Sequence, residues 1–546
     1  MRVPTCRVLA LPILGWLAAG AACAYDATDS GADDPGVAEV ESDATTPFGV
    51  TAGGGALTVS SGAGLVYRVS QASGDITSIR WNDRELNDQS KGSHIASGLG
   101  TATVSFSLSP SGATALIAIA TPTLTHYLST RRNENVIYMA THITAEPTVG
   151  ELRWITRLQS SAFTAVPVNS DIRSGTAIES SDVFSVAGQT RSKYYGNQQA
   201  RDLAIRGVTG SGVGVFMAYG NRESSSGGPF FHDIQNQTGT DAEVYNYMNS
   251  GHNQTEPIRT GLHGPYALVF TAGTVPAVPD MSWMAGLGLT GWVSSRGAVS
   301  GHVAGVTAGI PALVGFANAA AQYWAAPDAA GNFTSPAMKP GSYTQTLYQG
   351  ELAVATRTVA VTAGTTLTGQ NITSAFPQPA AVWRIGQWDG TPIEFRNGGS
   401  FGVMHPSDAR DGGWAPVTFT VGAAASGFPA AQWVAVNNPT TIRFNLAANQ
   451  VTAHTLRIGI TAAIAGGRPS VRVNSFAATN PGPSSQPSSR SLTIGTYRGN
   501  NALFTYSIPA SAFVAGSNTL VVTVISGSSG TGFLSPGYSY DAIELD

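Results

Sequence analysis

The chain has 546 residues, of which 11% are charged, whereas a globular domain usually has about 25%. Its formal net charge of −4 comes without a basic stripe, which argues against a nucleic-acid partner. The 64 Gly and 30 Pro, together with 42% hydrophobic residues, argue against disorder and against a helical bundle. This composition predicts an all-β protein of about three domains.

The first 24 residues are typical of an export signal. Two arginines precede an apolar run from Leu9 to Ala19, and Ala22-Cys23-Ala24 follows as a cleavage pattern. The run is too short to span a bilayer, so we expect a secreted, extracellular protein. A lipid anchor on Cys23 at the cell surface is the alternative, because residues 20–23 resemble a lipobox. Both cysteines of the chain lie in this segment, so the mature chain has no thiol chemistry.

The segment 25–47 is an acidic linker. It carries seven Asp and Glu side chains and no Lys or Arg. Such a run repels itself and has little apolar surface to bury, which predicts disorder.

From Phe48 to Val293 the chain alternates β-rich runs with Gly/Ser turns. Alternation of apolar and polar residues predicts strands within this segment. It predicts no long amphipathic helix, and a segment of this size predicts one large β-sandwich. The predicted strands are 102–108, 136–143, 212–218 and 266–271.

Two further β-rich domains are predicted. Residues 294–374 are rich in Ala, Gly and Thr and resemble a small fibronectin type III-like sandwich, with a hairpin across 333–343 turning at Pro340-Gly341. A stiff Pro-containing linker follows, and residues 375–546 have the layout of a jelly-roll domain of the carbohydrate-binding kind.

Lysine is scarce, since only three of the 29 basic residues are Lys. Arg stays protonated, so Lys is the basic side chain that can act as a base. Lys91 and Lys339 are predicted to be solvated. If the stretch around Lys193 is a strand, Arg191 lies on the same face, and this second cation would favour the neutral amine. The alternative is a solvated basic strand end.

Two other clusters carry candidate residues. Tyr245 and Tyr247 would share one face of a strand, and His252 follows at a Ser-Gly turn, where it can donate a proton near neutral pH. The alternative for His252 is a structural turn cap. Arg153 and Arg157 would also share a face, where a guanidinium suits a carboxylate, and a surface salt bridge is their alternative role.

Taken together, these clusters closely resemble the rhamnogalacturonan endolyases of polysaccharide lyase family 4. The resemblance covers the first domain closely, whereas the two later domains match in layout. The matching strings are GELRWITRL (150–158), TRSKY (190–194), ESSSGGPF (223–230), YMNSGHNQTE (247–256) and GLHGPY (261–266).

The resemblance implies a reaction and roles for the candidate residues. Such enzymes cleave the α-1,4 bond between rhamnose and galacturonic acid in rhamnogalacturonan I by β-elimination, which degrades pectin. Lys193 would be the base that removes the C5 proton, and His252 the acid that protonates the leaving oxygen. Arg153 would neutralise the uronate carboxylate. The other substrate-binding residues would be Tyr245, Tyr247 and Arg157.

The resemblance also bears on cofactors and partners. Many other pectate lyases use calcium to neutralise the carboxylate, but in this chain the cations can do the same work, so no catalytic metal is expected. A structural calcium in the jelly roll, apart from catalysis, is left open. The expected partner is rhamnogalacturonan I, with no nucleic acid, and the protein is expected to be a monomer.

Two rival functions follow from the same residues. A non-catalytic glycan-binding protein could stack sugars on exposed aromatic side chains, for which Trp383, Trp388, Trp414 and Trp433 are the candidates. A glycoside hydrolase or aldose epimerase is the second rival, because the first domain resembles mutarotase-like sandwiches. A hydrolase needs two facing carboxylic residues, which the matching strings do not supply.

Overall fold

The computed structural model describes residues 46–147, 150–252, 256–377, 379–483, 490–495 and 501–546. The predicted export signal, and the acidic linker up to residue 45, lie outside these residues. Within them the chain forms one compact unit. Among these residues, no helix combines the length and the apolar character needed to cross a membrane.

The regular secondary structure of the described chain is almost all β-strand, which confirms the predicted all-β class. It has 37 strands, one single-turn α-helix and short 3₁₀ turns. The strands of the first domain are β1 (Gly49–Gly53), β2 (Ala56–Ser60), β3 (Leu65–Ser70), β4 (Ile76–Trp81), β5 (Arg84–Glu85), β6 (His94–Ile95), β7 (Thr103–Leu108), β8 (Thr114–Ala120), β9 (Leu124–Arg131), β10 (Val136–Ile143), β11 (Leu152–Leu158), β12 (Thr176–Glu179), β13 (Val183–Val186), β14 (Gln189–Ser192), β15 (Ile205–Gly210), β16 (Val213–Ala218), β17 (Asn236–Thr238), β18 (Ala242–Asn249) and β19 (Gly261–Thr271).

The first domain is a β-sandwich of several sheets around one core. A seven-stranded sheet has the order β15-β16-β19-β10-β9-β8-β7, and a four-stranded sheet has the order β17-β18-β11-β6. Strands β1 to β5 form a five-stranded sheet, and β12 to β14 form a three-stranded one. Ile79, Trp154 and Leu268, from three different sheets, belong to one buried cluster. Burial of this apolar surface is the main stabilising contribution to the domain.

Strand β10 illustrates the agreement between the predicted and the observed strands. The prediction for 136–143 coincides with β10, and the other three predicted strands overlap β7, β16 and β19. Successive side chains of β10 point to opposite faces, so Met139 enters the main core while Tyr138 packs edge-on against Trp283, at 4.9 Å between ring centres. Trp283 belongs to the 3₁₀ segment Ser282–Leu287, which covers the outer face of the sheet.

The second domain is a small two-sheet sandwich. One sheet has the order β23-β20-β26, with β27 also paired to β20, and the other has the order β22-β21-β24-β25. The buried cluster of the domain draws side chains from both sheets. Its strands are β20 (Ala298–Ala304), β21 (Ala312–Ala317), β22 (Gln322–Ala325), β23 (Asn332–Thr334), β24 (Gly341–Gln349), β25 (Leu352–Val361), β26 (Thr366–Leu367) and β27 (Ile372–Thr373).

The predicted hairpin across 333–343 is wrong. Strand β23 pairs with β20, whereas β24 pairs with β21 and β25, so its two arms lie in different sheets. Pro340-Gly341 is therefore the point at which the chain passes from one sheet to the other. The hairpin of this region joins β24 to β25, where Gln349 lies opposite Leu352.

Lys339 is also not solvated as predicted. Its side chain is 14% exposed, and its Nζ lies 3.2 Å from an oxygen of Glu223 in the first domain. Arg296 and the hydroxyl of Tyr323 also donate to Glu223, each at 2.6 Å. Burial alone would raise the pKa of Glu223, but these donors and the charge of Lys339 lower it to about 2. The buried carboxylate thus joins the first two domains.

The third domain is a jelly-roll-like sandwich of two five-stranded sheets. One contains β28-β37-β32-β35, with β30 also paired to β37, and the other has the order β29-β31-β36-β33-β34. The strands are β28 (Trp383–Gly386), β29 (Val417–Thr420), β30 (Ala431–Trp433), β31 (Thr440–Leu446), β32 (His454–Ile464), β33 (Arg468–Val473), β34 (Phe476–Ala477), β35 (Ala502–Ile508), β36 (Gly516–Ile525) and β37 (Gly537–Leu545). The α-helix is α1 (Ser491–Ile494), and the 3₁₀ turns are Gly398–Ser400, Ala409–Asp411, Ala425–Gly427, Ala448–Gln450, Ala510–Ala512 and Gly532–Leu534.

The four tryptophans predicted as sugar platforms lie inside this domain. Trp383, Trp388 and Trp433 are buried, and Trp414 packs edge-on against Trp433, at 5.1 Å between ring centres. The stacking role is therefore wrong for Trp383, Trp388 and Trp433, because buried rings cannot face a sugar, whereas Trp414 is half-buried. In the described part of the chain, no group of three or more His, Cys, Asp or Glu side chains could hold a metal ion.

Candidate active site

The candidate site is built on the outer face of the four-stranded sheet. Strands β11 and β18 are antiparallel, and their register places Arg153 opposite Tyr247 and Arg157 opposite Glu243. Side chains two residues apart on a strand share a face, so both arginines project on the same side as Tyr245 and Tyr247. The alternate residues, such as Trp154, point into the main core. The inner face of the sheet thus packs into the core, and the outer face presents the side chains of the site.

The two tyrosines form the floor of the site. Their rings are stacked, with 5.8 Å between centres. The hydroxyl of Tyr247 accepts a hydrogen bond from Arg153, and the hydroxyl of Tyr245 donates one to Glu243. Burial raises the pKa of both phenols well above the usual value, and the charge of Glu243 adds to the effect on Tyr245. Both rings therefore stay protonated near neutral pH.

The two arginines of β11 differ in how fully they are engaged. Arg153 pairs with Glu151 at 3.0 Å and is 19% exposed at its side chain. Arg157 is held by two buried carboxylates, those of Asp241 at 3.2 Å and of Glu243. The geometry of Arg157 is thus that of the salt bridge that was its alternative role, whereas Arg153 stands beside Tyr247 with its guanidinium partly open.

Lys193 does not have the neighbour that the strand pattern suggests. Strand β14 ends at Ser192, which begins a turn, so the expected same-face pairing of Lys193 with Arg191 is wrong. Arg191 donates instead to Gln189 at 2.9 Å. The Nζ of Lys193 lies 3.6 Å from an oxygen of Asp182, and its side chain is 26% exposed. Its closest charged partner is therefore an acid.

His252 is oriented by a buried carboxylate. Its Nδ1 lies 2.9 Å from Oδ2 of Asp233, whose side chain is 1% exposed, and the hydroxyl of Ser250 donates to the same oxygen. Burial alone would lower the pKa of His252, but the charge and hydrogen bond of Asp233 outweigh it, so the pKa is raised above its usual value. His252 therefore holds a proton more readily than a solvated histidine does.

Tyr194 joins the two halves of the site. Its ring centre lies 5.6 Å from Nζ of Lys193 and 5.3 Å from the ring centre of His252, which approaches edge-on. The ring of His252 also lies 5.5 Å from that of Tyr247. The structure thus brings Lys193, His252, Arg153 and Tyr247 around one aromatic cluster, although strands, turns and loops from different parts of the chain supply them.

Sequence reasoning missed Asp182 and Asp233. Each is an acid beside a candidate proton-transfer group, and each lies outside the matching string that carries that group. No motif or spacing marks them, because the contact arises only from the folding of the chain. Only their proximity to a candidate His or Lys in the folded chain identifies them.

Three family models match the chain in order. A model described as "Rhamnogalacturonan lyase B, N-terminal" matches residues 48–291. Models described as "Polysaccharide lyase family 4, domain II" and "Polysaccharide lyase family 4, domain III" match residues 295–369 and 381–545. The first match includes Lys193, His252, Arg153 and the side chains that surround them.

Several curated fungal proteins are similar to the chain over nearly their whole length. "Probable rhamnogalacturonate lyase A" of Aspergillus clavatus is 46% identical over 91% of this chain and 96% of its own. "Putative rhamnogalacturonase" of Neurospora crassa is 44% identical, over 92% and 96%. "Rhamnogalacturonate lyase A" of Aspergillus aculeatus is also 44% identical, over 91% and 96%. With all three domains matched and more than four residues in ten identical, the chain belongs to polysaccharide lyase family 4.

Proposed function

We propose that this protein cleaves the α-1,4 bond between rhamnose and galacturonic acid in rhamnogalacturonan I by β-elimination, and so degrades pectin. Rhamnogalacturonate lyases among its relatives support the choice of polysaccharide. The observation that carries the mechanism is the arrangement of Lys193 and His252 around Tyr194, with Arg153 beside them. These side chains supply a base, an acid and a cation, which are the three groups that elimination at a uronate requires.

Lys193 is the proposed base. The C5 proton of galacturonate is lost to the neutral amine as the bond between C4 and O4 breaks. Lys suits this task because, unlike Arg, it can give up its own proton and then accept one from the substrate. Its side chain is partly exposed, so a bound sugar can reach Nζ.

His252 is the proposed acid. Because Nδ1 of His252 is directed at Asp233, the ring presents Nε2 to a substrate. The proton on Nε2 passes to O4, which departs with the rhamnose. The raised pKa of His252 keeps the acidic form populated closer to neutral pH. Asp233 is buried and does not itself reach the sugar, so its part is to orient the ring and stabilise its charge.

Arg153 is the proposed partner of the uronate carboxylate. Negative charge spreads onto that carboxylate as the C5 proton leaves, and a cation fixed beside it stabilises the transition state. The hydrogen bond to Tyr247 and the ion pair with Glu151 hold the guanidinium in place. This arrangement gives Arg153 the role that calcium has in other pectate lyases, and we propose that no metal takes part in catalysis.

The geometry favours elimination over the two rivals. Glu151, Asp182 and Asp233 each pair with a basic side chain of the site, whereas a hydrolase uses two carboxylic residues that flank the bond to be cleaved. A non-catalytic glycan-binding role loses its main support because Trp383 and Trp433 are buried.

Absorbance in the near ultraviolet tests the proposal, because β-elimination leaves a double bond conjugated to the uronate carboxylate. The wild-type protein acting on rhamnogalacturonan I should raise the absorbance, whereas Lys193→Ala and His252→Ala should not. New reducing ends without absorbance would show a hydrolase. Activity that disappears after chelator treatment and returns with calcium would contradict the metal-free part of the proposal.

The setting of the enzyme is part of the same proposal. We propose that the chain is exported and acts outside the cell as a monomer. Mass measurement of the mature protein after export, together with light scattering in solution, tests both points. A mature chain that begins with a lipidated Cys23 would replace free secretion by anchoring at the cell surface.

A further inference from the structure

The third domain contacts the small sheet that leads to Lys193. The hydroxyl of Tyr195 donates to the carbonyl of Thr493 in α1. The backbone N–H of Gly196 donates to the carbonyl of Gly402 at 2.8 Å. At the other end of this turn, the N–H of Thr190 donates to the carboxylate of a third-domain residue, Asp408, at 2.8 Å. Hydrogen bonds that the first domain donates to two segments of the third domain therefore lie on both sides of the turn that carries Lys193.

A row of side chains that alternate between basic and acidic residue types crosses this interface. Lys193 faces one oxygen of Asp182, and the other oxygen of Asp182 accepts a hydrogen bond from Arg490 at 3.0 Å. Nε of Arg490 donates to Glu179 at 2.6 Å, and the second oxygen of Glu179 lies 3.0 Å from His405. Arg490 and His405 belong to the third domain, whereas the other three residues belong to the first. Glu179 is 1% exposed at its side chain, so this end of the row is desolvated.

Apolar packing reinforces the same contact. Ile494, the last residue of α1, belongs to one buried cluster with Tyr194, Tyr245 and Tyr247. The cluster thus contains the ring between Lys193 and His252 and both tyrosines of the floor. A third-domain side chain therefore belongs to the buried cluster that contains the aromatic groups of the site.

From this geometry we infer that Arg490 is a positioning residue for the proposed base, acting through Asp182, and that the third domain completes the active site. The inference rests on the proposed function. If Arg490 were absent, the carboxylate of Asp182 would face Lys193 alone, which would favour the charged ammonium, and an ammonium cannot take a proton. Arg490 shares that carboxylate and adds a second positive charge, so it favours the neutral amine.

Several other groups around Lys193 also bear on its charge. Tyr194 lies beside it, and His252 is near enough for the two positive charges to repel each other. Because the charge of Arg490 also acts on Tyr194, a shift in the pH profile of an Arg490 variant is assigned to the contact through Asp182 only when Asp182→Asn abolishes that shift.

The first test compares Arg490→Met with the wild type on rhamnogalacturonan I. We expect kcat to fall by about 10- to 100-fold, the range of one to two decades that a single charge-assisted hydrogen bond can supply, with KM changed much less. The limb of the kcat profile that reports the base should move to higher pH, and Arg490→Lys should restore part of the rate. Arg384→Met is the matched control, because Arg384 forms its ion pair within the third domain, with Glu544, rather than across to the first.

A double-mutant cycle with Asp182→Asn separates positioning from loss of folding. If Arg490 acts through Asp182, adding Arg490→Met to Asp182→Asn should cost far less rate than it does in the wild type. Equal costs in both backgrounds would overturn the inference, as would an Arg490→Met enzyme with wild-type kcat and pH profile. If Arg490→Met does not fold, Arg490→Lys carries the same cycle. A wild-type protein that forms no unsaturated product would instead refute the proposed function, so the two failures are distinguishable.

Discussion

Replacing Asp233 by Asn should weaken the proposed acid without removing it. The amide keeps the size of the carboxylate and can still accept from Nδ1 of His252, but it loses the negative charge. Because that charge raises the pKa of His252, the Asn variant should have a lower one. Asp233 is buried at 2.9 Å from the ring, so solvent screens the contact little.

The size of the effect follows from this contact. A hydrogen bond to a charged group contributes about 1.5–3 kcal/mol, and about 1.36 kcal/mol is a tenfold change in a protonation equilibrium. Loss of the charge should therefore favour neutral His252 by roughly 10- to 100-fold. Where the wild-type His252 is already losing its proton, kcat should fall by a similar factor, since less of the enzyme carries the proton to be donated.

Two measurements check this prediction. NMR titration of the histidine ring protons, with His252→Gln to assign the resonance, reports the protonation of His252 directly, and the pH profile of kcat reports its use. Asp202→Asn is the matched control, because Asp202 pairs with Arg201 on the surface, where its side chain is 62% exposed. An Asp233→Asn enzyme whose His252 titrates as in the wild type would refute the reasoning.

Four further outcomes are expected. Lys193→Arg keeps the positive charge but cannot act as a base, so kcat should fall by about 10²–10⁴-fold while circular dichroism is unchanged. Arg153→Lys should lower kcat/KM by about tenfold or more, because an ammonium cannot bind both Tyr247 and a carboxylate as a guanidinium does. The pKa of Glu223 is depressed to about 2, so the carboxylate stabilises the fold by about 3 kcal/mol above pH ~4.5, and this is lost as the pH falls toward 2; urea unfolding of Glu223→Gln at pH 7 and at low pH measures the difference. Trp433→Ala should lower the free energy of unfolding by about 3–5 kcal/mol, whereas an unchanged stability with weaker glycan binding would restore the stacking role.

The sequence predicts the class of fold and the longest strands because these depend on local pattern. Strand β10 is apolar on both faces and is covered on both, so its pattern and its place in the sheet agree. The hairpin prediction across 333–343 failed because Pro340-Gly341 is compatible with any sharp change of direction. Which sheet the chain enters after the turn is decided by pairing with β21 and β25, which no local signal encodes.

For the site, motifs predict which residues take part but not which groups surround them. Lys193 and His252 stand in recognisable strings, whereas their acidic partners do not. Asp233 is 19 residues from His252 along the chain, and Arg490 is 308 residues from Asp182. The strand pattern even predicted the wrong charge beside Lys193, since the strand ends one residue too early to align it with Arg191. Tertiary contacts of this kind are set by the packing of whole domains.

The scarcity of lysine has a practical consequence for surface chemistry. All three lysines are ion-paired, and their side chains are 39%, 26% and 14% exposed at Lys91, Lys193 and Lys339. Besides the amino terminus, reagents that acylate amines can therefore react with three lysine side chains, which differ in their exposure to solvent. One of the two more accessible ones is the proposed base. Lys91 shares Asp241 with Arg157, so attachment of the enzyme to a resin through its amines would turn the face that carries the proposed active site toward the support.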